Sequence, residues 1–221
     1  AGTSTGGNIV LSGSPTITTG TGGRATLFTG SIADSTGLTD LIGSGSGNFR
    51  YNSDEAASNY SLALGTGLFG IYREQPTIDV SVADATITYG DSTASLAPSI
   101  NNAANGDTVS QVFASPSITI GGTTSTSGNP IVGDHTMTAS GTTTSQLGYA
   151  IGTTTGGTLT VNQKQITTPL VIDNKEYDAL TAATFSASTN GAVAGDVITI
   201  GGTAAFVDKN VGTGKTVNVT G

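Results

Sequence analysis

Ile118-Thr119-Ile120-Gly121-Gly122-Thr123 recurs verbatim as Ile198-Thr199-Ile200-Gly201-Gly202-Thr203, 80 residues further along the chain. Other landmarks keep step with it. Tyr89 aligns with Tyr177 at an offset of 88, and Asp107 with Asp196 at 89. Val132-Gly133 aligns with Val211-Gly212, and Thr136 to Gly141 with Thr216 to Gly221. Chance gives one such match, not several in register, so the chain holds two copies of one folding unit. The offset falls from 89 to 80 because the first copy carries nine extra residues around Gln111 to Pro116, about a hairpin's worth. Gly221 is then the counterpart of Gly141. Equivalents of Thr142 to Lys164, with two strands, are expected from further chain or from another copy.

Within the first copy, residues 77–163, β-branched residues alternate with polar ones, the period of a half-buried strand. Strands are expected at Ile78 to Ala83, Ala85 to Tyr89, Val109 to Ala114, Ser117 to Ile120, His135 to Ala139, Tyr149 to Ile151 and Thr158 to Val161. Turns fall at Gly121-Gly122, Ser127 to Pro130 and Gly156-Gly157. Short strands at this spacing imply a small antiparallel sandwich of immunoglobulin-like type. The cysteine pair and core Trp of immunoglobulin domains are absent, since the chain has neither residue.

Residues 1–76 differ. Short β segments, Asn8 to Leu11, Thr16 to Thr18 and Arg24 to Phe28, are broken by glycine, as in the coils of a β-solenoid, with an irregular β-meander as the alternative. A cluster of bulky residues follows, Phe49, Tyr51, Tyr60 and Tyr72 with Arg50 and Arg73, suited to capping an open solenoid end. Asp54 to Ser58 can form one helical turn, and Pro76 marks a joint. The expected architecture is therefore all-β: the C-terminal end of a β-solenoid (1–76), a sandwich (77–163) and a second sandwich incomplete at its C-terminus (164–221). Pro76 and the Lys164 region are the expected inter-module joints.

The charge balance bears on partners. The formal net charge is −8 with only seven Lys and Arg, too few to follow a phosphate backbone. No apolar run approaches the ~20 residues of a membrane span. Without cysteine there is no disulfide, thiol nucleophile or thiolate metal site.

The polar motifs point to structure rather than chemistry. Gly212-Thr213-Gly214-Lys215-Thr216 imitates the end of a phosphate loop, but the required upstream glycine position holds Lys209, so a hairpin turn is expected. His135, the only histidine, reads as a residue at a strand start. Asp91, Asp107, Asp178 and Asp196 each sit beside a glycine turn, where a carboxylate accepts backbone N–H groups; calcium is the alternative. Tyr89 and Tyr177 read as core or corner tyrosines bonding nearby backbone. Lys175, Lys209, Lys215 and Asn210 raise the idea of a Lys–Asn isopeptide bond. No catalytic, cofactor or metal site is expected, and no enzyme.

Three stretches resemble known families. Asn48 to Glu55 with Ile71 to Pro76 resembles the end of the β-helix in filamentous-haemagglutinin-like exoproteins of the two-partner-secretion type. Thr88-Tyr89-Gly90-Asp91 with Asn105 to Thr108, closing on Gly157 to Val161, is similar to the MBG repeat of bacterial surface adhesins. Lys175 to Asp178 with Ala194 to Asp196 and Phe206 to Lys215 resembles the YDG repeat. The usual glycine after Tyr-Asp is Ala179 here, which is expected to relax one tight turn. The resemblance implies a right-handed parallel β-helix stalk bearing tandem immunoglobulin-like repeats, in a very large secreted adhesin at the bacterial cell surface. It implies a stalk or spacer role in attachment or biofilm formation, with a host or abiotic surface, extracellular polysaccharide or other copies of itself as partner. A glycan-binding module and a self-assembling filament subunit are the alternatives.

Overall fold

The computed structural model describes residues 6–221. The fold is all-β, built from several small sheets, with helix confined to short turns. Two compact units emerge among the described residues, 6–86, 92–122 and 134–160 in the first, and 87–91, 123–133 and 161–221 in the second.

Strands β1 (Arg24–Thr29), β2 (Phe49–Arg50) and β3 (Gly67–Tyr72) form one parallel sheet in the order β1-β3-β2. Arg24 pairs with Gly67 and Thr29 with Tyr72, without a break in register. Phe49 and Arg50 pair with Gly70 and Ile71 on the other edge of β3. Coils stacked one on the next would give the order β1-β2-β3, so the last strand here sits between the first two. Asn8 to Leu11 and Thr16 to Thr18 lie in no strand. The first of them is held by isolated bonds, Ile9 N–H to Thr29 Oγ1 at 3.0 Å and Leu11 N–H to Thr36 O at 3.0 Å. The helical turn expected at 54–58 is absent, while a short helix α1 (Leu38–Ile42) buries Leu38.

Strands β4 (Thr77–Ser81), β5 (Ala85–Thr88), β6 (Ser99–Asn101), β7 (Ser117–Ile120), β8 (Gly133–Ser140), β9 (Ala150–Thr155) and β10 (Gly157–Asn162) follow. They form the sheets β6-β4-β9 and β5-β10-β8-β7. The first sheet is mixed rather than antiparallel, because β4 runs parallel to β9. The strand expected at Val109 to Ala114 is instead a helical turn, α2 (Val109–Val112). A reciprocal cap decides it: the Thr108 N–H donates to Gln111 Oε1 at 2.8 Å, and the Gln111 N–H donates to the Thr108 side chain. The stretch from Gln111 to Pro116 thus begins in this turn and forms no hairpin.

Pro76 does not interrupt the packing. One core joins Leu38, Phe49, Tyr51 and Tyr72 before it to Ile78, Val80, Val112, Phe113, Leu147 and Tyr149 after it. Pro76 O itself accepts the N–H of Ala150 at 3.0 Å, extending the β4–β9 pairing.

The second unit is thinner. It contains β11 (Leu170–Ile172) paired with β13 (Phe185–Ala187), and a sheet β12-β14-β15 of Ala182–Ala183, Thr203–Phe206 and Val217–Thr220. Among its described residues only Val161 and Ala204 are buried. The two copies of Ile-Thr-Ile-Gly-Gly-Thr have different roles. Ile118 to Ile120 form β7 and pair with β8, Ile120 facing Met137. Ile198 to Ile200 form no strand; Val217, the counterpart of Met137, faces Phe206, six positions further on. A shift by an even number keeps every side chain on its face of the sheet, so the alternating sequence tolerates it.

Candidate functional site

The Asn105-Gly106 pair folds the chain back on itself. Both residues are left-handed, at φ +52° and +74°, and the Asp107 N–H closes the turn on Ala104 O at 3.0 Å. The turn docks on α1 and the loop after it: the Gly45 N–H donates to Asn105 O at 2.8 Å, and Thr39 Oγ1 to Asn105 Oδ1 at 2.6 Å. This aims the Asp107 carboxylate inward, where the residue is only 5 % exposed.

Two phenols meet it there. Tyr51 and Tyr149 both donate to Asp107 Oδ2, at 2.7 and 2.8 Å. Each phenol oxygen also accepts, Tyr51 from Asn105 Nδ2 at 3.0 Å and Tyr149 from the Ala104 N–H at 3.0 Å. The two rings lie 4.4 Å apart at 50°, and Tyr72 stacks on Tyr51 at 5.7 Å. Asp107 Oδ1 is buried without a partner. Burial pushes the Asp107 carboxyl above its ordinary range, against the pull of the two phenols and Arg50. Burial likewise raises Tyr51, Tyr149 and Tyr72, with the Asp107 charge adding to all three, so their phenols stay protonated.

Arg50 is buried nearby without an ion pair among the described residues. Nη1 donates to Gly47 O at 2.8 Å and Phe49 O at 2.7 Å, and Nε to Leu62 O at 3.1 Å. Its guanidinium lies 5.5 Å from the Tyr60 ring centre and 5.6 Å from that of Phe69. Desolvation lowers its pKa.

The second unit repeats the motif in simpler form. Val193 to Asp196 is a turn closed at 3.1 Å by the Asp196 N–H, with Gly195 at φ +90°. Tyr89 donates its hydroxyl to Asp196 Oδ2. That hydroxyl first, and then those of Ser127 and Ser125, hold the Asp196 carboxyl below its ordinary range.

The remaining residues singled out in the sequence stay apart from these clusters. Asp91 accepts the Thr88 N–H at 2.9 Å and Asp178 the Leu180 N–H at 2.9 Å, both as turn carboxylates. Asp107 and Asp196 instead hold phenols, and Tyr89 bonds a carboxylate rather than backbone. Tyr177 is 64 % exposed, not a corner tyrosine. His135 is buried with Nδ1 2.9 Å from Gly121 O, where β7 ends. Gly212 to Thr216 lie in the connection from β14 to β15. Lys215 Nζ meets Asp208 and, at 2.6 Å, the main-chain oxygen of Asn210, while Lys175 meets Asp178 at 2.8 Å. Neither lysine contacts the Asn210 amide that an isopeptide would need. Among the described residues no three metal-ligating side chains converge.

Ala179 does not relax its turn. It keeps φ +64°, the glycine conformation, with an alanine side chain. Ala179→Gly is therefore expected to stabilise the second unit by about 1 kcal/mol, read from its urea midpoint.

The phenol–carboxylate contacts were hidden in the sequence because Tyr51 lies 56 residues and Tyr149 42 residues from Asp107. The one available signal was the Asn-Gly-Asp turn itself.

Residues 78–160 match the MBG domain (YGX type), and residues 158–221 match the YDG domain. No curated protein and no solved structure matches the chain. The chain thus carries an MBG domain followed by a YDG domain, a pairing consistent with a bacterial surface adhesin-type repeat protein.

Proposed function

We propose that this chain is a stalk or spacer segment of a large secreted bacterial adhesin, a structural element under tension rather than an enzyme. On this reading residues 1–76 are the end of a right-handed parallel β-helix of filamentous-haemagglutinin-like type, and the MBG and YDG domains are immunoglobulin-like repeats that follow it. The parallel register of β1, β3 and β2 supports the first part, and the paired sheets β6-β4-β9 and β5-β10-β8-β7 support the second. The observation that carries the proposal is the shared core around Tyr51, Asp107 and Tyr149, which fuses the N-terminal strands to the MBG domain. A fused core transmits tension without a weak joint. The parent protein would act outside the cell in attachment or biofilm formation, meeting a host or abiotic surface or extracellular polysaccharide.

Pulling the chain from its two ends tests this. The first compact unit is expected to give way in one event. Release of residues 24–76 as a separate, weaker step would overturn the reading, as would saturable glycan binding. Three of the six tyrosines, Tyr51, Tyr72 and Tyr149, are buried, which removes them as a stacking platform. A second reading, assembly between copies through the YDG domain, is favoured by the exposure of Val197 at 86 % and Val211 at 83 %. Concentration-dependent dimerisation in sedimentation would support it.

A further inference from the structure

Asp107 and Asp196 occupy equivalent repeat positions and are held alike. Ala104 to Asp107 and Val193 to Asp196 are both four-residue turns, closed by the aspartate N–H at 3.0 and 3.1 Å, with glycine third at positive φ. In both, Oδ2 accepts a hydrogen bond from a phenol in the chain that precedes the repeat, and Asp107 Oδ2 accepts a second from Tyr149 within it. Tyr51 precedes the MBG domain and serves Asp107; Tyr89 lies in the MBG domain and serves the YDG carboxylate, Asp196. Each pair falls inside one compact unit.

Tyr177 is the YDG counterpart of Tyr89, and its ring is open to solvent. The likeness extends to the surroundings. Tyr89 stands beside the β7–β8 connection, where Thr126 Oγ1 donates to Gly195 O at 3.4 Å. Tyr177 stands beside the corresponding β14–β15 connection, and with Leu180, Lys209 and Val211 it lines a cleft of about 100 Å³. Leu180 is 62 % exposed. Lys175 and Lys215 at this cleft are paired with Asp178 and Asp208, whereas Lys209 makes no ion pair among the described residues. One difference remains: Asp178 stands where Gly90 lies against Val193, so the floor of this cleft is polar.

We infer that the Tyr177–Lys209 cleft is the docking site for the Gly-Asp turn of a following β repeat, whose carboxylate accepts the Tyr177 hydroxyl. The occupant is a four-residue turn ending in Gly-Asp, the element that Tyr51 and Tyr89 already hold. This rests on the repeat-stalk reading. Each link would tie one repeat to the next through a bond that requires the turn to be folded.

A backbone-cyclised peptide carrying Val-Ala-Gly-Asp, the turn of residues 193–196, serves as probe on the full chain, with tyrosine ring resonances as readout. A saturable shift of Tyr177 with Tyr89 unmoved is expected, lost when the peptide's aspartate is replaced by asparagine and weakened several-fold by Lys209→Ala. No shift up to the peptide's solubility, or equal shifts with the asparagine peptide, overturns the inference. A second measurement extends the chain after Gly221 with another copy of Thr142–Gly221, which keeps the repeat in step. Tyr177→Phe and Asp196→Asn in the added copy are expected to couple by about tenfold in the unfolding constant, and additive effects count against the latch. If the added copy does not fold, the peptide titration decides. Neither measurement involves the first compact unit, so their failure leaves the pulling result standing.

Discussion

Gly148→Ala is expected to destabilise the first compact unit by about 4 kcal/mol or more, lowering its melting temperature by roughly 10 °C. Gly148 has φ +101°, and a Cβ there would lie 2.2 Å from Tyr51 O and 2.9 Å from Tyr51 C. Both atoms are main chain, so no rotamer change relieves the overlap. The neighbouring Tyr51 N–H donates to Leu147 O at 2.9 Å, which pins the two backbones together. Moving them apart draws Tyr51 away from Tyr149 and Asp107 and opens the core at its most aromatic point. Gly22→Ala is the control. Gly22 has φ +74° but nothing within 4 Å of a Cβ, so it is expected to cost about 1 kcal/mol, the backbone penalty alone. Thermal unfolding followed by circular dichroism separates the two. A Gly148→Ala chain as stable as Gly22→Ala would show that the N-terminal segment is not tightly joined to the MBG domain.

The all-β class was legible because alternation is a local property, and β1, β7, β8 and β10 lie close to where it places them. Val109 to Ala114 alternates equally well, yet the Thr108–Gln111 cap turns it into α2; over so few residues a cap outweighs periodicity. The repeat was legible too, but not its pairing. Ile198 to Ile200 match Ile118 to Ile120 letter for letter and form no strand, because strand partners are chosen by distant residues. Asp107 does lie in a turn, as its Gly-Asp pair implies, but its carboxylate accepts two phenols instead of backbone N–H groups. Its burial depends on Tyr51, which sequence patterning assigned to a separate cap. Pro76 stands just before the MBG match at residue 78, yet the core passes around it, because a proline stops local patterning and not packing.

Asp107→Ala is expected to cost the first unit about 2–4 kcal/mol, with Asp107→Asn milder. Alanine removes the acceptor shared by Tyr51 and Tyr149. Tyr149 keeps a fallback in Ala104 O at 3.2 Å, while for Tyr51 that oxygen is 3.5 Å away, so Tyr51 bears most of the loss. Asparagine keeps an acceptor oxygen and drops a charge whose burial is unfavourable. The pH dependence separates the two effects. The folded Asp107 carboxyl titrates above its ordinary value, near 3.8, so its contribution is fully present below that value and is lost as pH rises through the folded one. Asp107→Asn abolishes that dependence. Its cost relative to the parent chain should therefore be greatest at acid pH and shrink as pH rises through the Asp107 titration. Asp178, Asp196 and Asp208 behave in the opposite sense. Their carboxyls are lowered chiefly by Lys175, Tyr89 and Lys215 respectively, so their contribution is present above the ordinary value and is lost as pH falls. Urea unfolding across the acid range, read separately for the two units, should show these carboxyls weakening the YDG domain as pH falls while Asp107 favours the MBG core. A parent chain and Asp107→Asn with parallel pH profiles would mean that the carboxylate is solvated and that the two phenols do not hold it.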